Sequence, residues 1–326
     1  MKMKISVILC TYNGAKYLSK QLDSILNQQS HLPDEIIVCD DISTDNTLQI
    51  LTEYTNLYPT IFRIHENEVN LGSTKNFEKA LSLATGDFIF LADQDDIWKK
   101  DKTAKIIQYF QDNPKMQGVF TDADFIDQEG SPIGSKTLWE CVHFFEKEYT
   151  KPIDLLNIIA LNGNIATGAT MCITKEAKAT VLPFVKKTKN LHDEVIAKKL
   201  SFNTNLGYLA ENLISYRLHQ SQQVGVKSKA PKDKKIKLKR ILLGLNSPKT
   251  IFEKRYLFNK YYSRYSSYLK FKDDFRLTTL EKEALNIRIA DSRSACVRML
   301  QEIKKDNPIY YYGCIVADKI AQKRQL

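Results

Sequence analysis

Long apolar runs are missing from this chain of 326 residues. No stretch approaches the roughly 18 consecutive apolar residues of a membrane-spanning helix. The first strand-like run begins at Ile5, and no apolar core of a signal peptide precedes it. The composition, with 43% hydrophobic and 26% charged residues, is that of a globular protein. We therefore expect a cytoplasmic protein.

Cysteine pairs and glycine-rich phosphate motifs are missing as well. The six cysteines are scattered without a C-x-x-C pair, which is typical of reduced thiols in a core. No G-x-G-x-x-G follows the first predicted strand and no G-x-x-x-x-G-K-[ST] occurs, which disfavours a Rossmann dinucleotide site and a P-loop. A phosphate group bound by this chain must therefore be held mainly by a metal ion and by side chains.

Charge is distributed unevenly along the chain. Residues 226–326 carry 25 Lys and Arg against 10 Asp and Glu, net +15, which leaves 23 against 28, net −5, for residues 1–225. The change falls in a charged run over residues 226–240 that contains Pro231 and is typical of a linker or an exposed helix start. We predict one domain over residues 1–225 and a basic, Tyr-rich helical region over residues 226–326.

Strand-like and helix-like segments alternate over roughly the first 130 residues. Short apolar runs predict strands at residues 5–10, 35–40, 61–65, 87–92 and 118–126. Apolar residues at helical spacing predict helices at residues 16–28, 43–54, 70–86 and 102–110. This alternation predicts an α/β fold with a mostly parallel sheet flanked by helices.

Polar clusters follow three of the predicted strands. They are Thr11-Tyr12-Asn13, Asp40-Asp41 and Asp93-Gln94-Asp95-Asp96. In open α/β sheets, ligands bind outside the carboxyl ends of the strands, so we expect the three clusters to face one rim. Each acidic cluster by itself could also be a solvated loop or a helix cap.

Three carboxylates within four residues, Asp93, Asp95 and Asp96, repel one another unless a cation, a proton or solvent compensates their charge. Mg²⁺ or Mn²⁺ suits this cluster, because hard cations take oxygen ligands and Mg²⁺ is usually held by one or two carboxylates plus substrate phosphates. We predict that Asp95 ligates the metal directly. Asp93 would contact sugar, ribose or metal through water, and Asp96 would orient the other two.

The chain resembles the inverting family 2 glycosyltransferases, which have the GT-A fold, in four successive motifs: SVILCTYNGAKYLSKQLDSILNQ, IIVCDDISTDNT, NLGSTKNFEKAL and DFIFLADQDDIW. The likeness covers about residues 1–225. The segment DQDDIW and three further segments resemble the bacterial rhamnosyltransferase branch, which builds cell-wall, capsule or O-antigen polysaccharides. The three further segments are IATGATMCIT, LHDEVIA and YRLHQSQQVG.

The resemblance implies a nucleotide-binding set. Asp41 would accept a hydrogen bond from the ring N–H of a pyrimidine, which uracil and thymine both offer. The other residues that it implies for the nucleotide, its sugar or its diphosphate are Thr11, Tyr12, Asn13, Asn70, Gly72, Lys75 and Asp93.

The resemblance also implies a catalytic base and an acceptor side. Asp193 would take the proton of the acceptor hydroxyl. Its neighbour His192 would tune it or touch the acceptor, and Glu194 is the competing base. Gly168 would shape the floor of the acceptor site. Arg217 and His219 would close over the diphosphate as a lid, with Gly225 as its pivot.

These inferences together predict a metal-dependent inverting glycosyltransferase. It would move a sugar, possibly rhamnose in the donor dTDP-rhamnose, from a dTDP- or UDP-sugar to a growing or lipid-linked bacterial surface polysaccharide. A sugar-phosphate nucleotidyltransferase is disfavoured, because the Gly-rich, Arg-containing loop of such enzymes is missing. The alternative is a non-catalytic glycan-binding or scaffold member of a polysaccharide assembly complex.

The basic C-terminal region permits two interpretations. Basic helices with amphipathic tyrosines suit an anionic membrane surface, which predicts a peripheral protein at the inner face of the cell membrane. An apolar stripe at Leu280, Leu285, Ile287 and Val297 predicts instead a bundle core or a homodimer contact. No known nucleic-acid-binding module is present, so we expect no nucleic-acid partner.

Overall fold

Short apolar runs form the strands of an eight-stranded sheet in the computed structural model, which describes residues 3–184, 191–220, 222, 233–274 and 277–320. The strands are β1 (Ile5–Thr11), β2 (Glu35–Asp40), β3 (Phe62–Glu66), β4 (Phe88–Ala92), β5 (Ile97–Trp98), β6 (Gly118–Ile126), β7 (Met171–Thr174) and β8 (Leu206–Arg217). Their order in the sheet is β3-β2-β1-β4-β7-β6-β8-β5.

The first four strands of that order are parallel. β1 pairs in parallel with β2 and β4, and β2 pairs in parallel with β3. β7 is antiparallel to both β4 and β6, β6 is parallel to β8, and β5 is antiparallel to β8. Thr11 lies opposite Asp40 in the register of β1 and β2, so the polar residues that follow these strands begin at the same edge.

Helices connect the strands and continue beyond them. They are α1 (Ala15–Leu26), α2 (Thr47–Leu57), α3 (Gly72–Leu83), α4 (Lys102–Asp112), α5 (Leu138–Val142), α6 (Leu155–Asn162), α7 (Lys175–Val181), α8 (His192–Phe202), α9 (Asp233–Leu242), α10 (Ile251–Asp274), α11 (Thr279–Asp306) and α12 (Pro308–Ile320). The apolar face of α1, with Leu18, Leu22 and Ile25, is fully buried in the core that covers the sheet. Of the described helices, none combines the length and the apolarity needed to cross a bilayer.

The chain divides into two units. The first contains Met1–Glu146 and Asn164–Lys229, and the second contains Lys147–Gly163 and Ala230–Leu326. The boundary predicted at residue 225 lies outside the described residues and stays a prediction. The segment Lys147–Gly163, which sequence reasoning assigned to the first domain, belongs to the second unit because α6 packs against α10 and α9.

The second unit has its own apolar core, which is made of Leu161, Ile241, Leu242, Leu257, Phe258, Cys296, Met299 and Ile303. As a bundle core, the predicted stripe is wrong for Leu280, Ile287 and Val297, which are 78%, 64% and 40% exposed. Only Leu285 of that stripe is buried. The buried face of α11 continues instead through Ser292, Cys296, Met299 and Ile303, at the steps of three and four residues that keep side chains on one side of a helix.

Candidate active site

A cavity of about 630 Å³ opens where β1, β2 and β4 end. Twelve residues that sequence reasoning predicted for the site line it: Thr11, Tyr12, Asn13, Asp41, Asn70, Gly72, Asp93, Asp95, Gly168, His192, Asp193 and His219. Four others among the described residues lie outside this lining: Lys75, Asp96, Glu194 and Arg217. The structure thus brings together carboxylates that are far apart in the chain.

A side-chain amide joins the ends of β1 and β4. The backbone N–H of Tyr12 donates to Oε1 of Gln94 at 2.9 Å, and Nε2 of Gln94 donates to the carbonyl of Tyr12 at 3.1 Å. A Cβ at Gly14 would lie 2.3 Å from Oε1 of Gln94, so any other residue at this position would displace the amide. Sequence reasoning gave Gln94 no role, although its place between two acids in the DQDD segment was the available signal.

The two adjacent acids after β2 have different surroundings. Asp40 is fully buried and accepts a hydrogen bond from the hydroxyl of Thr11 at 2.7 Å, which ties β2 to β1. Asp41 lies in the cavity and accepts from the backbone N–H groups of Leu71 and Gly72 at 2.7 and 2.8 Å. These donors belong to the start of α3, where the helix dipole favours a negative charge. Asp41 is therefore the acid of this pair that a ligand can meet.

An amide network fixes Asp41 from a second side. Nδ2 of Asn67 donates to Oδ1 of Asp41 at 2.8 Å, and Nζ of Lys79 donates to Oδ1 of Asn67 at 2.7 Å. Nδ2 of Asn70 donates to the carbonyl of Asp41 at 3.2 Å. Asn67 was missed in the sequence, because nothing in its local pattern shows that β3 ends beside β2. Together these contacts orient the Asp41 carboxylate within the cavity.

Two of the three clustered acids after β4 face the cavity. Asp95 has its Oδ2 at 2.8 Å from Nε2 of His219, and both residues line the cavity. Burial raises the pKa of Asp93, and the negative charges of Asp95 and Asp193 raise it further. Asp96 is 1% exposed and accepts from the backbone N–H of Arg217 at 2.9 Å, so it lies behind the lining and supports the strand end.

Arg217 is not a lid residue, and this prediction is corrected. Its side chain is fully buried, and its guanidinium donates to the carbonyls of Asp95, Asp127 and Gln128 at 2.7, 2.9 and 3.1 Å. A planar group held by three backbone carbonyls braces the loops around it and cannot swing over a ligand. The predicted pivot, Gly225, lies outside the described residues.

Lys75 is exposed on α3. The residues of α3 that line the cavity are Gly72, Ser73, Asn76 and Phe77, and Lys75 is not among them. Its position does not support the predicted diphosphate contact.

Asp193 lies in the first turn of α8, buried at the cavity wall. Its carboxylate accepts from the backbone N–H of Glu194 at 2.7 Å and from that of Gly168 at 3.1 Å. Burial raises the pKa of Asp193 from 3.8 to about 6, even though these two N–H groups act to lower it. A carboxylate with this pKa is ionised at neutral pH and still basic enough to accept a proton.

His192 stands beside Asp193 in the wall of the cavity. Its ring stacks on Phe77, with the centroids 3.7 Å apart and the planes 15° apart. Burial lowers the pKa of His192 from 6.5 to about 3, so the ring is neutral. A Cβ on Gly168 would lie 2.6 Å from Nε2 of this ring, which explains the glycine at that position.

Glu194 is less suited to be the base. Its side chain forms an ion pair with Lys198 one helical turn further on, at 2.6 Å. Glu194 is not among the residues that line the cavity, whereas Asp193 is. The position of the two side chains therefore favours Asp193.

Tyr216 is a further residue of the site that sequence reasoning missed. It lines the cavity, and its hydroxyl accepts from Nε2 of Gln222 at 2.7 Å. Burial raises the pKa of Tyr216 well above its usual range, and the negative charges of the clustered acids add to this effect. A neutral phenol therefore stands beside the carboxylates.

The carboxylates that line the cavity form a partial set of ligands for a divalent cation. Among the described residues, no three His, Cys, Asp or Glu side chains converge into a complete metal site. Asp93 and Asp95 nevertheless share the cavity and repel each other. One or two carboxylates are the set that Mg²⁺ uses when substrate phosphates complete its coordination, so the residues present fit a metal that arrives with the donor.

Comparison with known proteins gives the family. The model of glycosyl transferase family 2 matches residues 6–171. The glycosyltransferase TuaG of Bacillus subtilis, which is assigned to teichuronic acid biosynthesis, is 30% identical over 232 residues, or 71% of this chain and 85% of TuaG. The dTDP-rhamnosyl transferase RfbG of Shigella flexneri is 30% identical over 238 residues, or 67% of this chain and 73% of RfbG.

The match to some relatives covers little more than a third of their length. With mycobacterial relatives at 33% identity, the match covers 39% of this chain and only 37% of their length. Among solved structures, S. aureus TarS 1–349 in complex with UDP-GlcNAc superposes with a TM-score of 0.53 at 21% identity, which covers 92% of this chain and 83% of that chain.

The structural likeness confirms the predicted fold, an α/β sheet of GT-A type followed by C-terminal helices. The family model matches about half of the chain, and the match to TuaG extends over most of both sequences. This chain therefore belongs to glycosyl transferase family 2, as its motifs predict.

Proposed function

We propose that the protein is a metal-dependent inverting glycosyltransferase that moves a sugar from a pyrimidine nucleoside-diphosphate donor to a growing or lipid-linked bacterial surface polysaccharide. One observation carries the proposal: Asp41, Asp95 and Asp193, which are distant in the chain, line a single cavity at the carboxyl ends of the strands. Three acids in one cavity supply the separate functions that such a transfer needs, which are base recognition, metal binding and proton removal.

Asp41 would recognise the base of the donor. Two backbone N–H groups and one amide hold its carboxylate, and each carboxylate oxygen can accept more than one hydrogen bond. A pyrimidine ring N–H, as in uracil or thymine, fits the remaining acceptor capacity. The similarity to a dTDP-rhamnosyl transferase supports this class of donor and makes dTDP-rhamnose the first donor to test.

Asp95 would hold the divalent ion, with Asp93 beside it. His219 orients the Asp95 carboxylate through the contact of 2.8 Å. When bound, Mg²⁺ or Mn²⁺ supplies positive charge next to the departing diphosphate. The phenol of Tyr216 and the imidazole of His219 complete the polar wall on this side of the cavity.

Asp193 would act as the general base. It takes the proton of the acceptor hydroxyl as the oxygen of that hydroxyl bonds to the anomeric carbon, and the bond from that carbon to the diphosphate oxygen breaks. Attack opposite the leaving group inverts the configuration at the anomeric carbon. Neutral His192, stacked on Phe77, would form the floor under the acceptor together with Gly168.

Titration calorimetry tests the nucleotide and metal sites together. UDP and dTDP are titrated into the wild type, Asp95→Asn and, as a control, Asp112→Asn, whose exposed carboxylate lies at the end of α4. We expect Mn²⁺ to strengthen binding to the wild type and the control, and Asp95→Asn to lose this gain. If the nucleotide affinity changes neither with Mn²⁺ nor with Asp95→Asn, the proposed metal-binding role of Asp95 is refuted.

A screen of nucleotide sugars by donor hydrolysis then tests catalysis. We expect turnover of one pyrimidine nucleotide sugar and its loss in Asp193→Asn. A protein that binds nucleotides but turns over no donor, with or without acceptor glycans, would instead be a non-catalytic member of an assembly complex.

A further inference from the structure

Over residues 308–318, whose side chains the structure describes, the outer face of α12 is apolar. Ile309, Tyr312 and Val316 are 86%, 56% and 54% exposed, and their spacing of three and four residues places them on one side of the helix. The charged residue Asp318 is mostly buried on another side, where it pairs with Arg255 at 2.8 Å. A surface helix normally has the opposite arrangement, with charged residues outward.

An aromatic residue of α10 extends this surface. Phe252 is 73% exposed, and its ring centroid lies 6.0 Å from that of Tyr310 in an edge-to-face arrangement. We call Phe252, Ile309, Tyr312 and Val316 the α12 patch. Exposed apolar residues that stand singly are normal, but three on one side of a helix, together with an exposed ring that packs against the same helix, indicate an interaction site.

Positive charge borders the α12 patch. Lys304 and Lys305 are exposed at the end of α11, and Nζ of Lys304 lies 5.8 Å from the ring of Tyr312. Asp306, the acid that follows them, pairs with Lys254 at 2.8 Å. Lys254 also pairs with Glu302 at 3.4 Å, so the acids near the α12 patch are held in ion pairs. The apolar and aromatic side chains have exposed lysines at their border, and such a surface is attracted to anionic lipid headgroups.

A second copy of the chain is a poorer occupant. The helix has 13 residues and is about 20 Å long, and four side chains cover far less than the roughly 800 Å² per partner of a stable interface. A two-fold contact would also bring the basic borders of both copies together. Anionic lipid meets neither difficulty, because a bilayer accepts a small apolar surface and neutralises the lysines.

We propose that the α12 patch docks the protein on an anionic lipid bilayer, with α12 lying in the plane of the interface. The apolar side chains enter the boundary between headgroups and acyl chains, and Lys304 and Lys305 meet the lipid phosphates. The docking itself is inferred from exposure and charge. Only its biological reason rests on the proposed function, since a lipid-linked acceptor would be found at the bilayer surface.

Vesicle co-sedimentation of the full chain tests the docking. The variant Ile309→Ser/Tyr312→Ser/Val316→Ser removes most of the α12 patch, and Leu280→Ser/Ile287→Ser/Val297→Ser removes three exposed apolar side chains of α11 as the matched control. On vesicles of phosphatidylcholine and phosphatidylglycerol, we expect the first variant to bind roughly a hundredfold more weakly than the wild type. The control should bind like the wild type, and all binding should weaken with salt and without phosphatidylglycerol.

Three results would overturn the docking proposal. The first is a wild type that does not bind anionic vesicles, and the second is a first variant that binds them as well as the wild type. The third is light scattering that shows a dimer for the wild type and a monomer for the first variant. Circular dichroism and donor hydrolysis in solution are measured on the same proteins. If the first variant loses vesicle binding but still hydrolyses the donor, the α12 patch serves docking and not catalysis. If the wild type binds vesicles but hydrolyses no donor, only the proposed function is refuted.

Discussion

The proposed role of Asp193 as the general base predicts that acid inactivates the enzyme. The residue accepts a proton only when it is ionised, and burial raises its pKa from 3.8 to about 6. Below that pH the ionised fraction, and with it kcat/KM, should fall about tenfold for each pH unit. A carboxyl group with the ordinary pKa of 3.8 would still be almost fully ionised at about pH 5. The midpoint of the acid limb therefore distinguishes the buried base from an exposed one.

The groups around Asp193 predict how the midpoint moves. The negative charge of Glu194 raises the pKa of Asp193, so Glu194→Gln should lower the midpoint and keep the rate at neutral pH. The N–H groups of Glu194 and Gly168 act in the other direction and remain in that variant. Asp93 shares the cavity, and its own pKa is raised by burial, by Asp95 and by Asp193.

Initial rates of donor turnover across the acid range, for the wild type and three variants, test this reasoning. Asp193→Asn should lower the rate by about 10²- to 10⁴-fold and abolish the limb. A wild-type midpoint near that of an ordinary carboxyl, or loss of activity at neutral pH in Glu194→Gln, would refute the assignment. A limb that persists in Asp193→Asn and disappears in Asp93→Asn would assign the titration to Asp93.

Two further predictions concern the framework of the site, and a third concerns Glu35 at the other end of β2. Arg217→Lys should lower the free energy of unfolding by about 2–4 kcal/mol in chemical denaturation, because Lys cannot reach three carbonyls at once; unchanged stability with reduced turnover would restore a lid role. Gly14→Ala should displace Gln94 and raise the KM for the donor about tenfold with little change in Tm, and an unchanged KM would contradict the bridging role of the amide. Burial raises the pKa of Glu35, but hydrogen bonds from Ser6, Thr85 and Lys4 outweigh this effect and lower the pKa from 4.5 to about 2. Glu35 therefore contributes about 2–3 kcal/mol to the free energy of unfolding above pH 4.5, and this contribution is lost as the pH falls toward 2. Melting curves of Glu35→Gln should lack this acid dependence, and a parallel pH dependence in both proteins would contradict it.

Local pattern was enough to place the strands and helices of the first part of the fold, up to β6. Apolar runs and helical spacing are properties of neighbouring residues, so the strands β1 to β4 and β6 and the helices between them fall where the sequence predicts them. The carboxyl ends of parallel strands meet at one edge of the sheet. The clusters beginning at Thr11, Asp40 and Asp93 therefore meet as predicted.

Orientation within each cluster could not be predicted. Asp40 and Asp41 are adjacent, yet Asp40 binds Thr11 across the sheet while Asp41 meets the start of α3. Asp95 and Asp96 are also adjacent and differ in orientation. Arg217, more than a hundred residues away in the chain, donates to the carboxylate of Asp96 from its backbone N–H and to the carbonyl of Asp95 from its side chain. Which acid faces the cavity depends on donors that are distant in the chain.

The sequence by itself thus determined the alternating strands and helices up to about residue 126, the chemistry of the strand ends and the family, because each depends on residues that are close together in the chain. Tertiary structure alone decided that Arg217 is a buried brace, that Lys147–Gly163 joins the second unit and that the apolar face of α12 points outward. Burial is a property of what packs against a residue, and a local pattern does not contain its packing partners.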